Sequence, residues 1–181
     1  MAVKTFTSST LSASDTNTYL ANSGLVYVTS VTAGTAVTTI TVNNCFSATY
    51  DAYRIILTGG TASTASNQFS FNFNGAPAQW YGNMIYANFA SGAPLSIGYN
   101  NATGVAHAAS VSSSYTQAII DVRSPYLATP SFFWSSYVDG ANGGTVQATN
   151  ANSTSYTGFV LTILSGTITG GTVTVYGYRK A

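Results

Sequence analysis

The sequence predicts an all-β antiparallel sandwich, and three observations predict it. From Leu25 onward, short apolar or alternating runs recur between clusters of Gly, Asn, Asp and Ser, at the spacing of strands and turns. Val, Thr, Tyr and Phe, the residues that suit a pleated and half-buried surface, fill those runs. Hydrophobic residues make up 45% of the 181, so a single domain of this length can enclose a real core.

The first 24 residues read differently, which divides the chain into an N-terminal segment, 1–24, and a β domain, 25–181. Ser12-x-x-Asp15 has the form of a capping box with Asp in place of Glu, and Ser23-Gly24 supplies a stop. The pattern predicts one short helix over 13–22. Its apolar side chains, Leu11, Tyr19 and Leu20, are too few for independent stability. Such a helix docks on its own domain, on a partner or on a neighbouring copy.

Eleven strands follow, over 25–30, 36–42, 52–58, 67–74, 84–89, 105–111, 116–122, 131–138, 145–148, 155–164 and 172–178. Turns separate them at Gly59-Gly60, Asn74-Gly75, Asn100-Asn101, Asp139-Gly140, Asn142-Gly143-Gly144 and Gly170-Gly171. Phe69, Phe71 and Phe73 alternate with Ser70 and Asn72, giving one aromatic and one polar face. Val173 and Val175 alternate with Thr174 and Tyr176 in the same way. Ala118-Ile119-Ile120 is continuous and reads as a strand covered on both faces. The last two runs, Phe159–Leu164 and Thr172–Tyr178, read as a closing hairpin. About ten antiparallel strands around a two-sheet core, without an internal repeat, fit a jelly roll.

Composition argues against catalysis. The acidic inventory is Asp15, Asp51, Asp121 and Asp139, with no glutamate, and the other chemically versatile side chains are His107, Cys45 and five basic residues. Acid–base work, metal binding and nucleophile activation all draw on these types. Asp51 lies near Arg54 and Asp121 near Arg123, so both aspartates read as ion-pair partners rather than a glycosidase pair. His107 and Cys45 read as structural, and no cofactor motif or metal-ligand spacing occurs. No basic patch suits nucleic acid, no apolar run is long enough to span a membrane, and the opening residues lack a signal peptide's apolar stretch. Charged residues make up only 5%, and the formal net charge is +1. A surface so poor in charge associates readily, which points to a permanent assembly.

Aromatic residues make up 13% of the chain. Trp80-Tyr81 with Tyr86 and Phe89, Tyr99-Asn100-Asn101, and Phe132-Phe133-Trp134 with Tyr137 sit among Asn, Ser and Gly. Tyr and Trp in such company serve either core and subunit packing or a ligand surface, because they offer flat contact area at low entropic cost. Trp80, Tyr81, Tyr86 and Trp134 are the candidates for a glycan or subunit contact.

Three stretches carry a resemblance. The run from Lys4 to Val28, with Leu11-Ser-Ala-Ser-Asp15-Thr-Asn17-Thr-Tyr19-Leu20 at its centre, resembles the opening of small virion proteins of tailed bacteriophages. Phe46–Gly59 and the ending Ser165–Lys180 are similar to the same group, whereas residues 60–150 match only in style. The resemblance implies a non-enzymatic jelly-roll protein of the virion surface, of the capsid-decoration, head-fibre or tail-fibre-tip type. It implies a homotrimer made in the host bacterial cytoplasm and attached to capsid or tail proteins through its N-terminal segment. Asp15, Asn17, Tyr19 and Leu20 are the attachment positions it suggests. A receptor-binding tip in contact with host surface glycans is the alternative role. A carbohydrate-binding module or glycan-degrading enzyme is a further one.

Overall fold

The computed structural model describes residues 24–180 except Ser66 and Tyr115. The predicted helix and Asp15, Asn17, Tyr19 and Leu20 lie outside the described residues. Within them the strands are β1 (Leu25–Thr32), β2 (Thr39–Val42), β3 (Ala52–Thr58), β4 (Thr61–Ala62), β5 (Asn67–Phe73), β6 (Trp80–Asn88) and β7 (Pro94–Ala102). There follow β8 (Val105–Val111), β9 (Thr116–Arg123), β10 (Ser131–Val138), β11 (Asn142–Asn150), β12 (Phe159–Ile163), β13 (Ile168–Thr169) and β14 (Thr172–Tyr178). No helix occurs among the described residues.

All pairings are antiparallel. One run of hydrogen-bonded neighbours is β1-β14-β3-β9-β10-β11-β6-β7. A second is β2-β12-β5-β8. The two meet where the end of β8 pairs with the start of β9. The chain therefore folds back on itself there as a sandwich-like pair of layers, while β4 and β13 form a small separate ladder.

Period-two alternation decides which side of each strand is inside. Phe69, Phe71 and Phe73 are fully buried, as are Ile55, Leu57, Ile120, Val122, Val173 and Val175 from the opposite layer. Rings from both layers meet edge-on or stacked. Phe71 lies 5.1 Å from Phe133 and 5.3 Å from Phe159, and Phe46 lies 4.7 Å from Tyr53. Each such pair contributes about 0.5–1.5 kcal/mol beyond the area it buries. Cys45 is buried beside this cluster, and burial pushes its thiol up to about 12. His107 occupies the irregular stretch where β8 bulges against β5, with a left-handed φ of 61°.

Three expectations are corrected. Ile119 is 45% exposed between the buried Ala118 and Ile120, so β9 is covered on one face only. The apolar run there reflects an apolar outer residue, not a second layer. Second, β12 and β14 are not hairpin partners. β12 pairs with β2 and β5, while β14 pairs with β1 and β3. The intervening Ile168-Thr169 pairs with β4, and this carries the chain from one layer to the other. Third, Asn142-Gly143-Gly144 is strand rather than turn. The turn is at Asp139-Gly140, where the Asp139 carboxylate accepts from the amides of Ala141 and Asn142 at 2.8 and 2.7 Å. A Cβ on Gly144 would collide with the backbone of Ile85 and Tyr86 on β6, so the glycine there serves close strand approach.

Candidate functional site

The outward face of the larger layer brings exposed rings together with charged and amide side chains. Because register is continuous across the sheet, side chains on this face fall into cross-strand rows. One row runs Tyr176, Arg54, Asp121, Trp134, Gln147, Asn83 across β14, β3, β9, β10, β11 and β6. The next runs Tyr178, Ala52, Arg123, Phe132, Thr149, Tyr81 across the same strands. Neighbouring strands lie about 4.8 Å apart, which sets the spacing within each row.

The members of these rows other than Tyr176 and Asn83 line an open groove of about 990 Å³. The alternation of β10 turns Phe133 into the core and raises Phe132 and Trp134 as a ridge, 56% and 44% exposed. Tyr81, 38% exposed, stands two strands away. Thr149 and Gln147 form the trough between them. On the other flank of the ridge lie Asp121 and Arg123, with Arg54 and Tyr178 beyond.

The polar groups on that flank are pre-organised. Arg54 donates to Asp121 through Nε at 2.9 Å and Nη2 at 2.7 Å, a bidentate pair. Tyr178 donates its hydroxyl to the same carboxylate at 3.0 Å, and the Arg54 guanidinium lies 5.7 Å over the Tyr178 ring. The bond to Asp121 raises the pKa of Arg54. Burial, with the Asp121 carboxylate second, raises that of Tyr178. Asp121 thus pairs across strands with Arg54 and not along its own strand with Arg123. Asp51 pairs with Lys180 at 2.8 Å and not with Arg54. Both aspartates are ion-paired as expected, but with partners other than the nearest arginine in sequence, because strand register, not chain distance, decides which heads meet.

The four aromatic candidates separate. Tyr81 and Trp134 line the groove. Trp80 does not: it is 0% exposed, packs on Phe73 at 5.3 Å and donates its indole N–H to Asn72 at 2.8 Å. That burial excludes a glycan or subunit contact for it. Tyr86, on the opposite face of β6 from Tyr81, packs partly buried against the core and is also outside the groove. Phe132, Arg54, Asp121, Arg123, Gln147, Thr149 and Tyr178 join the site. The i, i+2 spacing of Phe132 and Trp134 on β10 puts both on one face, but nothing local in the sequence shows that β9, β10, β11 and β6 are neighbours.

Among the described residues, no group of three or more His, Cys, Asp or Glu side chains is placed to hold a metal ion. The arrangement offers flat apolar rings, a fixed acceptor–donor pair, amide and hydroxyl groups and a guanidinium. It can hold a ligand by stacking and hydrogen bonding. In comparisons with known proteins, no family model, curated protein or solved structure matches this chain.

Proposed function

We propose that the protein is a non-enzymatic adhesion module of the tailed-phage virion surface, which contacts glycans through the outer face of its larger sheet. The observation that carries the reading is the juxtaposition of exposed Phe132, Trp134 and Tyr81 with Arg54, Asp121, Arg123 and Gln147 in one groove. Sugars present an apolar face flanked by hydroxyls, so aromatic rings beside rigid polar groups complement them. Host-surface binding is therefore favoured over pure capsid decoration.

The finer architecture proposed is a jelly roll. Its support is strand order. In chain order β1, β2, β3, β5, β8, β9, β12 and β14 fall as β1-β14-β3-β9 in one layer and β2-β12-β5-β8 in the other. Two interlocked Greek keys have this order. The hairpins β6–β7 and β10–β11 then extend the first layer past β9. Placement on the particle, the homotrimer and attachment through residues 4–22 rest on the N-terminal motif and on a surface short of charge.

Glycan-array binding by the purified protein, together with competition for phage adsorption, tests the reading. Binding that Trp134→Ala abolishes is the expected result. Imaging of particles produced with a chain lacking residues 1–22 tests the attachment role, since the truncated chain should be missing from them. A folded protein that binds no glycan and blocks no adsorption would refute the adhesion reading.

A further inference from the structure

We infer that the groove selects an acidic sugar, its ring on the Phe132–Trp134 ridge and its acid group on Arg123. The inference rests on the carbohydrate reading above and adds the ligand's charge.

Charge is scarce in this chain, yet the groove gathers two of the five basic and one of the four acidic side chains. Two of these three satisfy each other. Both Asp121 carboxylate oxygens are taken, Oδ1 by Arg54 Nε and the Tyr178 hydroxyl, Oδ2 by Arg54 Nη2. Arg123 is left as the surplus. It is exposed and forms no salt bridge among the described residues. The nearest aspartate in sequence on β3's side, Asp51, is held by Lys180. In its own row Arg123 is flanked by Ala52, which leaves room above β3, and by Phe132, one strand away.

That placement suits a pyranose with an exocyclic acid. A ring laid on Phe132 and Trp134 has its edge about one strand spacing from β9. A carboxylate or sulfate on that edge meets a guanidinium able to grip it with two parallel N–H bonds. The same guanidinium gives a neutral hexose only ordinary hydroxyl contacts.

The test uses galacturonate and glucuronate oligosaccharides and their carboxyl-reduced counterparts, the galactose and glucose oligomers, titrated calorimetrically into the full chain. The acidic series should bind about tenfold tighter or better, the worth of one charge-assisted contact. Raising salt should erode that preference without weakening the neutral series. Arg123→Gln should bring the two series level while neutral binding persists, and Arg123→Lys should keep part of the preference. Circular dichroism checks that each variant is folded. Equal affinities for wild type, or a preference that survives Arg123→Gln, would overturn this inference and leave the carbohydrate reading standing. No binding of either series by the folded protein would overturn this inference, and no binding across the glycan array together with no block of adsorption would overturn both.

Discussion

The chain's two tryptophans should report opposite environments, and substituting them separates core from surface. Trp80 has no exposed area and meets Phe71, Phe73 and Phe133 at centroid distances of 6.0, 5.3 and 6.2 Å. Its replacement by Ala removes the largest buried side chain, which costs about 3–5 kcal/mol through lost transfer energy and the cavity left behind. The lost hydrogen bond adds little, because Asn72 Oδ1 also accepts from the Phe73 amide at 3.0 Å and keeps that partner. A total near 4 kcal/mol, in a domain of this size, lowers Tm by about 8–16 °C. Trp134→Ala, on the exposed ridge, should change stability by less than about 0.5 kcal/mol. Calorimetry measures both. Fluorescence supplies an independent check, since each Trp→Phe variant leaves a single emitter. Trp134→Phe should show blue-shifted emission that iodide cannot quench; Trp80→Phe should show red-shifted, quenchable emission. An unchanged Tm in Trp80→Ala, or ready quenching of Trp80, would refute the burial on which the layer assignment depends.

Gly144→Ala should destabilise by about 1–3 kcal/mol, since its methyl group has no space against Ile85 and Tyr86; an unaltered denaturant midpoint would contradict the close β11–β6 approach. Cys45 should remain unreactive toward a thiol reagent at pH 8 until the protein unfolds, because burial holds its pKa at about 12 against 9.0 in the open chain. With the folded pKa raised, the protonated thiol is favoured in the native state, so its contribution to stability is complete below pH 9 and declines between pH 9 and 12 by up to about 1.4 kcal/mol per unit. Cys45→Ala should flatten that decline in Tm, alongside whatever Tyr99, also raised to about 12 by burial, contributes. His107 behaves with the opposite sign. Burial lowers its pKa below 6.5, so stability present above that value should be lost as pH falls below it, and His107→Asn should reduce that loss in unfolding titrations. A double-mutant cycle on Arg54 and Asp121 should give a coupling of about 1 kcal/mol or less, because both side chains remain partly exposed and screened.

Much of the fold was legible because alternation is a local property. The Phe69–Phe73 ladder and Val173 with Val175 each declared an inward face before any partner was known. Elements that broke local rules were missed. β7 contains Pro94, Gly98 and Asn100-Asn101, which read as turn chemistry, yet it is a strand whose one partner among the described residues is β6. An edge strand tolerates such residues, since a proline at its first position surrenders no ladder hydrogen bond. Trp80 was a candidate glycan or subunit contact because the expected strand began only at 84; with β6 starting at Trp80, the residue falls in phase with the buried Met84 and faces inward. The groove was half legible. Tyr81 and Trp134 were identifiable as aromatic side chains in polar company, but Arg54 and Asp121 lie 67 residues apart and meet only through register.

The position of the groove follows from how the larger layer is extended. β2, β12, β5 and β8 face only part of the other layer, and the aromatic core from Phe46 to Phe159 fills the space between. The hairpins β6–β7 and β10–β11 continue the larger layer beyond β9. Their inner residues, Phe133, Val146, Trp80 and Met84, still add to the core, so the extension is anchored by burial. Their outer residues, Phe132, Trp134, Gln147, Thr149 and Tyr81, lie outside the core. That freedom is what an interaction surface requires: rings can stay exposed without loosening the fold, because the same strands are fixed from beneath. Arg54, Asp121 and Tyr178, from β3, β9 and β14, supply the fixed flank against which the added strands bring their rings. Substitution along the outer row should consequently alter ligand choice while leaving Tm nearly constant. A ridge variant such as Phe132→Ser that instead unfolded the domain would show the outer face to be part of the core's support.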